Sequence, residues 1–400
     1  MMKKCMLLVL MGLTGFPGWG QADPYLSGRA SMNLGDYHSA VVALSRALDE
    51  KKGDTGILYQ LGICHFMLNN NTAARDAFYE VEKRRKGMGS LYLAKTEVRL
   101  NHPELALKYL REHLSSGYKI PEKEILLDKE LSTLEGIKGW QQLWNEKTWY
   151  SQEDKEFQEA QFLKENGAAL EAINLLNKLE KKGYELSKVQ AEKAAVYSFL
   201  GNTKAARSEL RSAIKSDVRN LDAVFHLASF QLDEGDSEEA LLGLNRVIRQ
   251  EPDRFEAYLL RAEAKSAQGD LPGAEKDLDI YLSYFPDHHQ AHYRKGVIQY
   301  AHGKYLDAIQ SFNRALEMDD GKAEYYFARG RTYASTGTTI FAEKDMAMAL
   351  DLDPYNGEIW FEKGKLSQQL GKREDACFCY QQAYRYGVYE AGEILEKQCN

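Results

Sequence analysis

Residues Phe327–Pro354 read FARGRTYASTGTTIFAEKDMAMALDLDP. The stretch has a Gly-punctuated first half, a TG break, an Ala-spaced second half and a closing Pro. None of these groups suggests chemistry. It decides the fold because variants of it recur. GDSEEALLGLNRVIRQEPD closes on Pro252 and Asp253, GDLPGAEKDLDIYLSYFPD on Pro286 and Asp287, and ALDLDP on Pro354. The first two prolines stand 34 residues apart, the third follows two periods later, and Asp320 fills the slot between. A fixed period in this range is the mark of a solenoid.

Two further series keep the same phase through seven units: the glycines Gly167, Gly201, Gly235, Gly269, Gly303, Gly337 and Gly371, and the alanines Ala172, Ala206, Ala240, Ala274, Ala308, Ala342 and Ala376. A third small residue comes earlier in each unit, at Ala160, Ala194, Ala228, Ala262, Gly296, Gly330 and Gly364. Each unit therefore reads as two antiparallel helices. The mid-unit Gly ends the first helix and permits a left-handed turn. The small residues mark close helix crossings, with Leu244, Leu278, Phe312, Met346 and Tyr380 filling the space beside them. Pro252, Pro286 and Pro354 stop the second helix. One such pair cannot bury its apolar face alone, and stacked neighbours do it for one another.

This pattern resembles the tetratricopeptide repeat family. The match is in strict phase over residues 153–390 and looser before it. Gly28, Gly35, Tyr37, Ala40, Leu44 and Ala47 make a unit at 21–54, and Leu61, Gly62, Ala74 and Phe78 a second at 55–88. Leu93, Ala94, Ala106 and Leu110 make a weaker third near 87–120, with His113 where a small residue is usual. The fold expected is all-α: a right-handed superhelical solenoid of antiparallel helix pairs, about ten repeats in arrays of three (21–120) and seven (153–390). Residues 121–152 break the phase and read as an irregular Trp-rich connector. Its Trp140 and Trp144 share a helical face, as core or as a secondary partner-binding patch, and Trp149 is a further candidate for the core. Residues 391–400 end a polar capping helix.

The first twenty residues are read as a leader rather than as fold. Lys3 and Lys4 precede an apolar run from Cys5 to Phe16, and Gly18 and Gly20 supply the small residues a signal peptidase needs. Cleavage is expected before Gln21, or alternatively after Ala22; an uncleaved anchor is the other reading. Cys5 precedes the apolar run, where a lipoprotein cysteine would follow it. Export to the periplasm or cell envelope is expected, with no membrane insertion once the leader is removed. Its removal takes the formal charge from −7 to −9, and an acidic chain with dispersed cations argues against nucleic acid as a partner.

In the tetratricopeptide family the first helices line a concave groove that holds peptides or protein segments, and the resemblance implies that role here. The groove-facing fifth position of each unit is Phe157, Ala191, Phe225, Leu259, Tyr293, Phe327 and Phe361. Four residues on come Ser229, Glu263, Val297, Arg331 and Lys365, and Tyr300 lies farther along the same stripe. Phe225, Tyr293, Tyr300, Phe327, Arg331, Phe361 and Lys365 are the candidate partner-binding residues. Aromatics beside Arg331 and Lys365 suit an extended segment carrying a carboxylate or acidic side chains. The set of Lys, Asn and Arg that forms the family's peptide-carboxylate clamp is missing. A second cationic row, Arg261, Lys295, Arg329 and Lys363, has Asp277 and Asp345 sixteen residues on in two units, which reads as ion pairing within the repeat.

His288, His289, His292 and His302 lack the convergent ligands a zinc site needs, so they read as turn residues and no metal is expected. Cys64 reads as a small buried apolar residue. The tail from Asp375 to Cys399 is similar to the ends of other exported bacterial repeat proteins, which carry Cys at two matching places. That resemblance implies a Cys377–Cys399 disulfide, with Cys379–Cys399 as the alternative. Closing a loop of this size stabilises by about 3 kcal/mol. No phosphate loop, serine elbow or metalloprotease helix occurs, and no cofactor is expected. The expected function is a non-catalytic scaffold that binds a protein or peptide segment in its groove, with self-association through its ends left open. The alternative is a small-ligand or glycan receptor that uses the Tyr-rich groove.

Overall fold

The computed structural model describes residues 23–146 and 149–399. Among these residues every regular element is a helix. The expected leader, its cleavage points and Cys5 lie outside the described residues. Contacts divide the chain between Trp149 and Tyr150, inside the stretch read as a connector.

The first unit holds three helix pairs: α1 (Pro24–Asn33) with α2 (Tyr37–Glu50), α3 (Thr55–Met67) with α4 (Asn71–Arg84), and α5 (Ser90–Arg99) with α6 (Pro103–Leu114). A short α7 (Glu122–Leu126), a 3-10 turn (Leu131–Leu134) and α8 (Lys138–Glu146) follow. The second unit holds seven pairs: α9 (Gln152–Glu165) with α10 (Ala169–Lys181), α11 (Leu186–Phe199) with α12 (Thr203–Ser216), α13 (Leu221–Asp233) with α14 (Ser237–Gln250), α15 (Glu256–Ala267) with α16 (Leu271–Tyr284), α17 (His289–Ala301) with α18 (Tyr305–Met318), α19 (Ala323–Ser335) with α20 (Thr339–Leu352), and α21 (Gly357–Gln369) with α22 (Arg373–Arg385). A closing helix, α23 (Glu390–Gln398), packs on α22. Each first helix packs against its own second helix and, within each unit, each second helix against the first helix of the next pair.

The turn inside each pair explains the glycine beat. All seven glycines of the series have positive φ, between 70° and 85°. In the first unit Gly35 does the same, but Asn69 and Asn101 hold the corresponding places at φ 58° and 61°. Asn is the residue that best tolerates this conformation after Gly, so the hairpins persist where the Gly signal is lost.

The crossing inside each pair is set by two residues sixteen apart. Ala94 meets Leu110, Ala160 Leu176, Ala194 Leu210, Ala228 Leu244 and Ala262 Leu278, all buried. Where Phe or Tyr takes the second place, the first is Gly. A Cβ on Gly62 would stand 2.6 Å from the Phe78 ring, one on Gly296 2.6 Å from the Phe312 ring, and one on Gly364 2.8 Å from the Tyr380 ring. Each of these crossings sets a small residue against a large one, which lets the two helices approach closely.

The third pair departs from the pattern at His113, which is buried. Its Nε2 accepts the Ile120 N–H at 3.2 Å, fastening the end of α6 to the chain that follows. Burial pushes its pKa down to about 4. In the connector, Trp140 is only 6% exposed and meets Trp144 edge-on at 5.7 Å. Trp149 is buried and donates its Nε1–H to the Leu143 carbonyl at 2.9 Å. Trp140 therefore offers no surface to a partner, because its ring is enclosed. The half-buried Trp144 is the member of the pair that reaches solvent.

The last pair is sealed by α23. Cys377 and Cys399 are disulfide-bonded with Cα atoms 5.7 Å apart, and Cys379 is buried as a free thiol. Cys64 is likewise free and buried.

Two outcomes follow from this packing. Gly296→Ala is expected to destabilise by about 1–3 kcal/mol through overpacking. Adding Phe312→Leu should restore most of the loss, because it rebuilds the Ala–Leu pair of neighbouring repeats. Urea unfolding of the two variants checks this, and an additive double mutant would contradict it. His113 gives a pH signature. The unfolded chain takes up a proton below about pH 6.5 that the folded chain refuses until about pH 4, so this residue's share of stability is full above that window and falls as pH drops through it. The loss should reach about 3 kcal/mol at the acid end. In His113→Gln, which keeps an acceptor for Ile120, unfolding measured across this pH range should show a flatter slope.

Candidate functional site: an aromatic furrow on the first helices

First helices of successive pairs also touch one another, at α13–α15, α17–α19 and α19–α21. Their free faces line two adjoining cavities that share Tyr293 and Val297. One, of about 500 Å³, lies between α15 and α17 over Leu259, Glu263 and Leu278. The other, of about 390 Å³, runs from α17 across α19 to the start of α21. Its walls include Tyr300, Phe312, Phe327, Arg331 and Ile359. Tyr293, Tyr300, Phe327 and Arg331 thus meet in one furrow, because residues seven apart on α17 and four apart on α19 face the same way.

Tyr293 is held by stacking on Tyr325, with ring centroids 4.7 Å apart and planes at 27°. Burial pushes its phenol pKa up, with Glu324 and Glu358 adding to the rise and Arg331 opposing it. The Arg331 guanidinium stands 5.6 Å from the ring centres of both Tyr300 and Phe327. Tyr300 bonds Ser335 Oγ at 3.3 Å, which ties α17 to α19. These contacts hold the aromatic wall before any partner arrives.

The remaining sequence candidates do not join this furrow. Phe361 is 5% exposed and packs on Tyr380 at 5.8 Å, so it is core rather than groove. Lys365 lies over the Phe361 ring at 4.4 Å and pairs with Glu362 at 2.9 Å. Phe225, on α13, is covered by the Arg254 guanidinium at 4.5 Å.

Three residues unforeseen as site members complete the wall: Glu324, Asp353 and Glu358. Glu324 and Glu358 lie three residues before Phe327 and Phe361, one helical turn toward the N-terminus on the same face. The same row holds Asp154, Asp222 and Glu256, and that recurrence was the available signal. Asp353 is placed by Asn356, whose side chain donates to it at 3.0 Å and caps α21 by accepting the Glu358 and Ile359 N–H groups. With Lys365 paired to Glu362, three carboxylates face Arg331 alone, and the expected preference for acidic segments loses its basis.

The second cationic row is structural. Arg261 clamps Asp277 with two bonds of 2.8 and 2.7 Å, and Arg329 clamps Asp345 with two of 2.7 Å. Asn245 and Asn313 complete the two arrangements. Each histidine of the 288–292 turn has its own partner. His288 accepts the Ala291 N–H, His289 bonds Tyr325 OH at 2.8 Å and His292 bonds the Pro286 carbonyl at 2.8 Å. Among the described residues no group of three His, Cys, Asp or Glu could hold a metal ion, and no helix is long and apolar enough to cross a membrane.

Family models described as tetratricopeptide repeat match residues 25–88, 200–265, 259–323, 299–357 and 357–386. Among solved structures, a tetratricopeptide repeat protein from Parabacteroides merdae is 18% identical, with a TM-score of 0.50 over 62% of this chain and 99% of that one. The C-terminal part of a TPR repeat-containing protein from Cytophaga hutchinsonii is also 18% identical, with a TM-score of 0.48 over 58% of this chain and 95% of that one. At such identities the first likeness concerns the fold alone. No curated protein matches the sequence.

The contrast between two residues at equivalent positions is testable. Phe361→Ala is expected to cost about 3–5 kcal/mol as a core truncation. Phe327→Ala should cost less than about half of that, since part of its ring is already in water. Thermal unfolding of both variants decides it, and equal losses would mean that Phe327 faces no open furrow.

Proposed function

The chain belongs to the tetratricopeptide repeat family, and on that premise we propose that it is a non-catalytic scaffold of the bacterial periplasm or cell envelope that holds an extended protein segment in the furrow of its second unit. Repeats of this family are in general protein-interaction scaffolds rather than catalysts. One observation carries the assignment to this face: Tyr293, Tyr300, Phe327 and Arg331 converge on two adjoining cavities. Rigid aromatic walls supply contact area at low entropy cost, and Arg supplies directed donors, a combination enriched where proteins bind one another. Placement outside the cytoplasm is supported by the charged, then apolar start of the sequence and by the Cys377–Cys399 disulfide, since such bonds persist in oxidising compartments. The cavities are also of a size that admits small ligands, which keeps a glycan receptor as the second reading.

In-cell photo-crosslinking from positions 293, 300 and 327, read by mass spectrometry, is expected to capture a discrete protein. Loss of that product in a Phe327→Ala, Arg331→Ala double variant would place the contact in the furrow. Absence of crosslinks from all three positions would remove the furrow as the binding face. A melting temperature raised by oligosaccharides would favour the glycan reading.

A further inference from the structure

The furrow carries charge that the fold does not neutralise. Elsewhere on the same faces charges are paired: Arg294 with Glu263 at 3.2 Å, and Lys365 with Glu362 at 2.9 Å. On the back of the pairs, Arg261 and Arg329 are clamped by Asp277 and Asp345. In the cavity between α17 and α21 the balance differs. Glu324, Asp353 and Glu358 line it with Arg331 as the one cation among its lining residues. Glu324 and Glu358 are exposed, and neither has an ion-pair partner among the described residues. The half-buried Phe327 ring lies in the same lining, over the buried Phe312 and Ile359.

Resting on the furrow as the binding face, we propose that its occupant is an extended, net-basic segment of another protein. Lys or Arg side chains sit against Glu324, Asp353 and Glu358, and an intervening apolar side chain rests on the half-buried Phe327 ring. In an extended segment alternate side chains face one surface, which suits carboxylates spaced around an apolar floor. Arg331 needs no acidic side chain in this arrangement. Its guanidinium presents five donors and takes main-chain carbonyls, while its charge is offset by the carboxylates around it. A second copy of this chain is disfavoured as the occupant, because a formal charge of −7 repels itself at an acidic site.

The test uses three short peptides of one Leu- and Tyr-containing background that carry Lys, Glu or Gln at the same alternate positions. Binding to the whole protein is read by fluorescence anisotropy at low and high salt. The Lys peptide is expected to bind roughly tenfold or more tighter than the Glu peptide at low salt, a gap that salt narrows. Glu324→Gln with Glu358→Gln should abolish most of the gap while leaving the Gln peptide unaffected. Phe327→Ala should weaken the Lys and Gln peptides alike. Circular dichroism confirms folding, which two exposed isosteric changes leave intact. Equal affinities, or a preference for the Glu peptide, together with sensitivity to Phe327→Ala, would overturn the charge preference and leave the furrow standing. Binding by none of the peptides, or binding indifferent to Phe327→Ala, would overturn the furrow and this inference with it.

Discussion

The close crossing of the two helices in each pair is the constraint on which the rest depends. It is set by residues sixteen apart, a small one against a large one: Ala against Leu, or Gly against Leu, Met, Phe or Tyr. A larger residue on one side alone would push the helices apart, and the next pair would then meet a wider partner. Because each pair contacts only its neighbours, an error of spacing would spread along the stack. Turns that admit a left-handed residue close the hairpin at a fixed length, which is why the period stays at 34 wherever Gly holds that place.

This division of work frees one face. Second helices take part in two interfaces, with the first helix before and the first helix after. First helices touch one another only weakly along the stack, so one side of each stays open. Charges needed for the fold gather on the other side. Asp277 and Asp345 are buried against Arg261 and Arg329, where removing one partner would strand the other. Glu324 and Glu358 have no such duty. An exposed carboxylate without a partner adds little to stability, and its solvation costs nothing until a ligand arrives.

The fold was legible because its signal is periodic and steric. The glycine and alanine series each answer to one physical need, and each need is met at the position read from the sequence. Legibility failed where chemistry substituted for size. Asn69 and Asn101 replace Gly without any change in the hairpin. The second of them comes 32 residues after the first instead of 34, so a search keyed to Gly at a fixed beat weakens there. His113 looks like a defect until its bond to Ile120 is seen, because only the fold brings that N–H to the ring. The furrow was half legible. Tyr293, Phe327 and Arg331 follow from positions five and nine of the unit and Tyr300 from the same stripe, but the acidic row at position two carries no hydrophobic periodicity and reads as an ordinary solvated helix start.

Equivalent positions in a repeat are not equivalent sites, and the last pair shows why. Phe361 and Lys365 stand one period after Phe327 and Arg331. Among the described residues the helix after this pair is α23, which takes the place a next first helix would hold. Ala391, Ile394 and Leu395 of α23 join Phe361 and Tyr380 in one core. A ring that would have faced the furrow is buried there, and Lys365 turns to Glu362. The Cys377–Cys399 bond ties α23 to α22, and Arg373 donates twice to the Gln398 carbonyl. A cap is required because the terminal pair has an apolar face with no neighbour. The device that closes the stack therefore also ends the furrow, at the carboxylates that begin α21.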